Sequence, residues 1–282
     1  MNSKVDFKMN HASKTLNDIQ PRKLPDIKSN SEKIYWLEND PFKTHFMNAL
    51  SITFPIGEKF FVQSVQPFFD KVEDAKLKDD IVKFIKQEAN HRNAHKFFNH
   101  ENIGNEKLWH RLRDGFQKKT NINQRLNSNL NLLAQTTALE HITAIFAHYL
   151  LTEPSWRDGT DDASKDVWIW HAIEEIEHKA VAFDTYTAMN GGYFRRVSLM
   201  LLVSLLFFID VLWMTARLLF ADGQLFKLKT IKSFWSFLFG RKGMIRQSFK
   251  HYLSYFKFRF HPWDIQDQYL IEQFDHFEKV SS

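Results

Sequence analysis

Two imidazoles and a carboxylate recur along one stretch of the sequence, Trp168 to Asp184 (WIWHAIEEIEHKAVAFD). If this stretch is helical, spacings of four and three residues place His171, Glu175 and His178 on one face. Polar groups that face a protein interior are costly unless something binds them. A metal ion is the simplest explanation, so other helices are expected to supply further ligands.

Candidate ligands occur in three earlier stretches. Glu58 lies in an apolar segment, Glu88-x-x-His91 lies on an amphipathic segment, and Glu140 lies near the middle of a stretch that is apolar on nearly all sides. Taken alone, Glu58 is more typical of a surface glutamate, and a lone Glu-x-x-His also arises from solvated helix contacts. A carboxylate in surroundings such as those of Glu140 is rarely left unpaired.

The joint pattern is more specific than its parts. One Glu from each of two helices, with a Glu-x-x-His from each of two others, is the ligand set of ferritin-like dinuclear carboxylate bundles. The sequence therefore predicts an all-α, ferritin-like four-helix bundle with extra C-terminal apolar and amphipathic helices. Two metal ions are expected in it, Fe in the first place and Mn as the alternative, because carboxylate and imidazole ligands suit both.

The helix at residues 168–184 leaves a choice of register. Glu175 lies on the stripe between His171 and His178, four after the first and three before the second. Glu174 is close enough to hold a ligand in place or to bridge, and Glu177 is expected to face another helix or solvent.

Composition sets the domain boundaries and excludes some chemistry. The chain has 282 residues with nine Gly, seven Pro and no Cys, which excludes disulfides, thiolate metal sites and a Cys nucleophile. We predict a polar tail over residues 1–32, the metal bundle over 33–195 and a helical extension over 196–282. The tail lacks an apolar signal-peptide core, so a cytoplasmic protein is expected.

The extension combines an apolar run with a basic one. Val197–Phe220 is long enough to span a bilayer, but Asp210 near its centre favours a buried or membrane-embedded hairpin helix over a full span. Between Gly223 and Trp263 there are nine Lys or Arg, twelve aromatic residues and no Asp or Glu. Residues 197–263 are therefore expected to contact an anionic membrane surface, peripherally or monotopically on the inner membrane.

Two other partners remain open for this extension. An amphipathic helix pair that packs on the bundle, or on a second subunit in a homodimer, fits the pattern as well as membrane contact does. Nucleic acid is less expected, because the adjacent apolar run favours lipid.

Five segments carry a family resemblance: FPIGEKFF, QEANHRNAH, ALEHITA, WHAIEEIEHKAVAFD and FHPWD. Over about residues 45–265 they resemble the bacterial family labelled predicted metal-dependent hydrolases, which is ferritin-like. The ligand order, with His171 ahead of Glu175-x-x-His178, also resembles that of p-aminobenzoate N-oxygenase-type dinuclear iron enzymes. The second resemblance implies seven metal ligands: Glu58, Glu88, His91, Glu140, His171, Glu175 and His178.

Three functions are consistent with these observations. The preferred one is a dinuclear iron oxidase or oxygenase that acts on a hydrophobic small molecule or lipid and takes electrons from an external donor. The first alternative is a hydrolase in which two metals activate water. The second is a non-enzymatic, membrane-associated metal-binding protein. No catalytic residue beyond the metal ligands and no organic cofactor is predicted.

Overall fold

The computed structural model describes residues 18–25 and 35–280, and over these residues the fold is all-α. The prediction of a helical bundle is therefore confirmed. In chain order the helices are α1 (Pro41–Val65), α2 (Ala75–Asn102), α3 (Glu106–Leu126), α4 (Asn129–Thr152), α5 (Asp162–His178), α6 (Val181–Ala188), α7 (Tyr193–Ala221), α8 (Leu228–Phe239), α9 (Met244–Ser254) and α10 (Gln268–Phe274).

The bundle is built from two helix hairpins. Helix α1 packs on α2, α4 packs on α5, and α3 forms the connection between the two pairs. The helix starts follow from local sequence, since the side chains of Asp40, Asp74, Ser128 and Asp161 accept from backbone N–H groups in the first turns of α1, α2, α4 and α5. All four helices meet around a common interior, which is where the predicted ligands lie.

Helix α1 continues through Pro55 without interruption. Proline has no N–H, so it cannot donate to the carbonyl of Ser51 four residues earlier. The side chain of Asn99 on α2 donates to that carbonyl instead, at 3.0 Å. A proline one turn before Glu58 is thus accommodated by a cross-helix hydrogen bond, which also fixes α1 against α2.

The stretch Trp168–Asp184, read as one helix from the sequence, is two helices in the structure. Helix α5 ends at His178 and α6 begins at Val181, with Ala180 between them at φ −96° and ψ −15°. This turn lets the buried Lys179 place its ammonium on Asp267 and, at 2.8 Å, on the carbonyl of Ile265. His171, Glu175 and His178 all fall on α5, so the predicted stripe is intact. Asn190, at φ 54°, follows the end of α6, and asparagine in this left-handed conformation is a common helix terminator.

Helix α7 packs its inner side on α1 and α4 and leaves much of its outer side open. By length and composition Tyr193–Ala221 could cross a bilayer, and 22% of its most apolar window is buried in the fold. Leu201, Leu205 and Trp213 are each more than half exposed. Asp210 does not face outward into this apolar surface, because it forms an ion pair with Lys119 of α3.

Part of the predicted N-terminal tail packs on the bundle. Arg22 forms an isolated antiparallel bridge with Lys279, and the N–H of Val280 donates to the carbonyl of Pro21 at 2.9 Å. Ile19 and Arg22 are both 1% exposed. The rest of the predicted tail, residues 1–17 and 26–32, lies outside the described residues.

Candidate metal centre

The four bundle helices bring all seven predicted ligands to one buried place. Each of these residues is less than 5% exposed. They are Glu58 from α1, Glu88 and His91 from α2, Glu140 from α4, and His171, Glu175 and His178 from α5. Residues far apart in the sequence therefore form one cluster.

The ligand atoms are close enough to share metal ions. Four groups of three residues have ligand atoms that all lie within 4.8 Å of one another. Glu140 joins the cluster through His178, whose Nε2 lies 3.5 Å from Glu140 Oε2 and 3.3 Å from Glu88 Oε1. The four groups are Glu58, His95 and His171; His91, His171 and Glu175; Glu58, Glu88 and His91; and Glu88, Glu175 and His178.

Most carboxylate oxygens in this cluster have no hydrogen-bond donor from outside the cluster. Within the described residues, nothing but a carboxyl group of the cluster itself can donate to either oxygen of Glu58, Glu88 or Glu140, or to Oε2 of Glu175. Buried polar atoms are normally satisfied, and an unpaired buried acceptor costs about 1–3 kcal/mol. Several such atoms that converge on one point are the arrangement expected of a cation site.

Burial and mutual repulsion dominate the electrostatics of the carboxylates. Burial raises the pKa of Glu58, Glu88 and Glu140, and the negative charge of Glu175 raises each further. Burial alone would also raise the pKa of Glu175, but its contacts with His171 and His178 hold that pKa well below the usual range. A bound cation would offset the repulsion among these groups, since opposite charge favours the ionised carboxylate.

The proton on His91 is fixed by Glu174. His91 Nε2 lies 2.9 Å from Glu174 Oε2, and the backbone N–H of Arg22 donates to the other oxygen of Glu174 at 2.7 Å. An imidazole nitrogen that faces a carboxylate carries hydrogen, so Nδ1 keeps its lone pair. That atom has no hydrogen-bond partner among the described residues and lies 3.6 Å from Glu175 Oε1. Burial lowers the pKa of His91, which keeps the ring neutral as a metal ligand must be.

A longer chain of contacts fixes the proton on His178. Arg22 donates to both oxygens of Glu177, and the Gln87 amide nitrogen donates to Glu177 Oε2 at 2.8 Å. This leaves the carbonyl oxygen of Gln87 to accept from His178 Nδ1 at 2.9 Å. The lone pair of His178 is therefore on Nε2, which has no hydrogen-bond partner in the described part of the chain.

His171 occupies the end of a third series of contacts. Its Nε2 lies 2.9 Å from Glu175 Oε1, and its Nδ1 lies 2.6 Å from Nε2 of His95, whose Nδ1 lies 2.8 Å from the Ser51 hydroxyl. If Nε2 of His171 binds a metal, Nδ1 donates to His95 and His95 in turn donates to Ser51. Burial lowers the pKa of His95, so this ring is neutral and can accept the hydrogen bond.

Several residues of this centre were not predicted as part of it. Gln87 and His95 flank the Glu-x-x-His of α2 at helical spacing, and this periodicity could have identified them. Arg22 could not have been found, because nothing in its local sequence indicates that it is buried against α5. Glu177, expected to face another helix or solvent, faces α2 through Gln87.

Two narrow apolar cavities border the cluster. The first cavity, about 40 Å³, lies between α1, α4, α5 and α8, and its wall includes Phe46, Phe146 and Trp156. The second cavity, also about 40 Å³, lies toward α3 and α7, and its wall includes Glu58, Phe116 and Phe207. Phe54, Thr143, His171 and Glu175 line both. A substrate that reaches the cluster would therefore meet a mostly hydrocarbon wall.

The donor set fits hard or borderline first-row metal ions. Carboxylate oxygens and neutral imidazoles suit Fe, Mn and Zn, and the absence of cysteine from the sequence leaves no thiolate to favour softer metals. Two of the imidazoles have their outward nitrogens tied to an acceptor, as metal-binding histidines normally do. The residues thus match a metal centre in type, burial and orientation.

One comparison with known proteins gave a match. A family model described as "Predicted metal-dependent hydrolase" matches residues 20–266. No curated protein and no solved structure matches the chain. The family resemblance read from the sequence is confirmed, and the name of the family suggests a metal-dependent enzyme.

Proposed function

The chain belongs to the family of predicted metal-dependent hydrolases, and on that premise we propose that it is an enzyme with two metal ions bound by the seven clustered residues. The ligands are Glu58, Glu88, His91, Glu140, His171, Glu175 and His178. The observation that carries this proposal is the set of buried carboxylate oxygens that no donor outside the cluster reaches in the described part of the chain. Six of the seven ligands match the ferritin-like dinuclear pattern, and His171 is the addition.

The reaction we propose is oxidation of a hydrophobic substrate by O₂, with iron as the metal and an external electron donor. Two iron ions at this site would supply the means to bind O₂ and pass electrons to it. The protein contributes a dry reaction space, because Phe54 and the other apolar residues of both cavities exclude water beside Glu175 and His171. It also contributes fixed protons on the outward nitrogens of His91 and His178, which keep their inward nitrogens available.

Hydrolysis is the second candidate, and the description of the family favours it. Two metals about 3.5–4 Å apart can activate a water molecule and polarise an ester or phosphoryl oxygen without redox chemistry. The cavities offer few groups to assist, since Thr143 is the one hydroxyl side chain common to both walls and it donates to the carbonyl of Glu140 at 3.1 Å. For this reason we place oxidation first.

Dependence on O₂ separates the two candidates. Metal-free protein is loaded with Fe(II) under anaerobic conditions and then mixed with O₂, while absorbance is followed. We expect an optical change that requires both iron and O₂ and is lost in Glu140→Gln. Turnover of ester or phosphoester substrates without O₂, and equally with Zn or Mn, would overturn the oxidase proposal and support hydrolysis.

We propose further that α7–α9 contact an anionic membrane surface. Phe226, Leu228 and Trp235 are 79%, 76% and 58% exposed, and the neighbouring Lys229 and Lys232 are exposed beside them. Apolar and basic side chains on one surface suit headgroup phosphates and the acyl boundary. We expect the protein to sediment with phosphatidylglycerol vesicles, and to do so less in Lys229→Gln/Lys232→Gln. Equal sedimentation with phosphatidylcholine vesicles, or none with either, would overturn this proposal.

A further inference from the structure

We propose that a single-chain amphiphile with an anionic head reaches the metal centre through an apolar passage between α3 and α7. This inference rests on the proposed function, because it names the substrate class and the access route of the same site. It is carried by the shapes and shared walls of three cavities and by one charged pair at the surface.

The outer part of the passage is a groove of about 360 Å³ between α3 and α7. Leu202, Leu206 and Ile209 of α7 form its apolar side and are 51%, 50% and 53% exposed. Residues of α3 and α4 form its polar side, where Asn123 donates to Gln135 at 2.7 Å. The groove is thus amphipathic, as a binding site for an amphiphile should be.

The groove continues inward to the metal centre. Gly57, Phe116, Leu139 and Phe207 line both the groove and the cavity that contains Glu58, His171 and Glu175. Two of the four wall residues are rings on different helices, and Gly57 contributes no side chain at all. In the proposed route, side-chain rotation of the two phenylalanine rings joins the groove to the inner cavity.

Beyond the metal centre the space continues on the far side. The cavity under Phe46 and Phe146 shares His171 and Glu175 with the inner cavity, and its wall includes Trp156 and Phe237, which are 4% and 6% exposed. A hydrocarbon chain that enters from the groove would pass the two shared ligands and place its end in this apolar cavity. An interior carbon of the chain, and not its head, would then lie beside the metals.

The charge at the mouth indicates the kind of head group. Lys119 on α3 pairs with Asp210 on α7 at the rim, with side chains 64% and 13% exposed. Asp210 interrupts the apolar middle of α7, and at the rim of the groove it holds the lysine over the opening. A carboxylate head that arrives from solvent or a membrane would compete with Asp210 for the ammonium, while the chain enters the apolar groove.

Gly57 offers a direct test of the passage. A Cβ placed there meets Phe61 Cζ at 4.0 Å and nothing nearer, so larger side chains extend into the open space. Alanine should leave the passage open and favour the helix, while leucine should fill it. Laurate binding to the metal-loaded full-length protein is measured by calorimetry, together with metal content.

We expect laurate to bind the wild type and Gly57→Ala with similar affinity and Gly57→Leu about tenfold or more weakly, because loss of a buried hydrocarbon site is worth at least that factor. Equal affinity in all three proteins would overturn the passage, as would failure of the wild type to bind laurate. Metal content is read separately, so a protein that binds no metal would refute the proposed function and not merely the route.

A second variant, on a helix without proposed ligands, covers the case in which leucine at Gly57 disturbs the neighbouring Glu58. Phe207→Ala removes a ring from the wall, and we expect laurate to associate several-fold faster. An unchanged association rate would contradict the route.

The role of Lys119 in binding the carboxylate head is tested separately. Lys119→Gln should weaken laurate binding about threefold, the size of one exposed ion pair, and leave the binding of lauryl alcohol unchanged. The same loss for acid and alcohol would overturn the role of Lys119.

Discussion

Two groups of buried carboxylates lie side by side on α5 and its neighbours, and their surroundings are opposite. Glu174 and Glu177 receive hydrogen bonds from Arg22 and are further contacted by His91 and Gln87. In the second group, no donor outside the cluster reaches Glu88 or Glu140 within the described residues. The same fold therefore supplies hydrogen-bond donors to Glu174 and Glu177 and supplies none from outside the cluster to Glu88 and Glu140. The difference indicates that the second group is kept open for a cation.

The largest effect on stability is expected from a substitution that removes the arginine donor to the hydrogen-bonded carboxylates. Arg22→Met leaves Glu177 and Asp275 without their main side-chain donor, while the backbone N–H of residue 22 still reaches Glu174. Removal of one partner of a buried ion pair typically costs about 3–5 kcal/mol. We expect the free energy of unfolding, measured with denaturant, to fall by that amount with or without metal. Lys23→Met is the matched control, since its partner pair with Glu278 has side chains 58% and 72% exposed. Equal effects of the two substitutions would contradict a structural role of Arg22.

A substitution among the carboxylates that lack outside donors should instead raise the stability of the metal-free protein. Glu140→Gln removes a negative charge that repels its neighbours, so metal-free protein is expected to gain about 1–3 kcal/mol of unfolding free energy near neutral pH. The same substitution should abolish stabilisation by metal. Glu101→Gln, at an exposed position near the end of α2, is the control and should change neither quantity. Destabilisation of metal-free protein by Glu140→Gln would refute the claim that this carboxylate is held at a cost.

The unfolding free energy gained by Glu140→Gln should increase as pH rises. Burial, followed by the charge of Glu175, raises the pKa of Glu140 in the folded protein above that of the unfolded chain. Below the unfolded pKa, about 4.3, both states are protonated and the wild type has its full stability. That stability is lost as pH rises through the folded pKa. The advantage of Glu140→Gln should therefore be near zero in acid and grow toward neutral pH, as thermal unfolding of metal-free samples would record.

A smaller effect, on metal affinity, is expected at Gln87, which connects the hydrogen-bonded carboxylates to the metal cluster. Gln87 connects Glu177 to His178, so Gln87→Met removes the acceptor that fixes the proton on the imidazole. Loss of such an outer contact typically lowers metal affinity by about 10–100-fold. Gln87→Glu retains an acceptor for His178 but replaces the amide donor to Glu177 with a carboxylate oxygen, so it should lose less metal affinity than Gln87→Met while losing stability. Competition with a chelator measures the metal affinity of both variants, and unchanged affinity in Gln87→Met would show that His178 does not depend on this contact.

The smallest effect on metal affinity is expected at Ser51, whose hydroxyl ends the series of contacts from His171 through His95. Ser51→Ala removes the partner of His95, and one such hydrogen bond contributes about 0.5–1.5 kcal/mol. Metal affinity is expected to fall by less than tenfold, since His95 acts through His171. Ser64→Ala, which removes another buried hydroxyl of α1, should cost similar stability and leave metal affinity unchanged. Identical metal affinities would mean that the series from Ser51 to His171 does not influence the centre.

The helices and their inward carboxylates could be predicted because their signals are local. Caps such as Asp161, the apolar faces and the Glu-x-x-His spacing each lie within a few turns of sequence. Glu58 and Glu140 could be assigned only because the order of all four elements matched a dinuclear bundle. The break after His178 was missed, since it depends on Lys179 meeting a segment nearly ninety residues later.

The groups that hold the ligands were beyond prediction for the same reason. Arg22 lies 152 residues from Glu174 along the chain, and no periodic pattern connects them. The passage between α3 and α7 also depends on how those helices pack. From the sequence, Asp210 argued against a full membrane span. The structure shows that it is paired with Lys119 of α3, a contact that the sequence does not indicate.

The carboxylates without outside donors imply a site for two metal ions. Metal content tests this when the wild type and Glu140→Gln are loaded with Fe(II) anaerobically and freed of excess metal. We expect two metal ions per chain in the wild type and a clear loss in the variant. A wild type that retains no metal, or a variant that retains as much as the wild type, would refute a two-metal site at these residues.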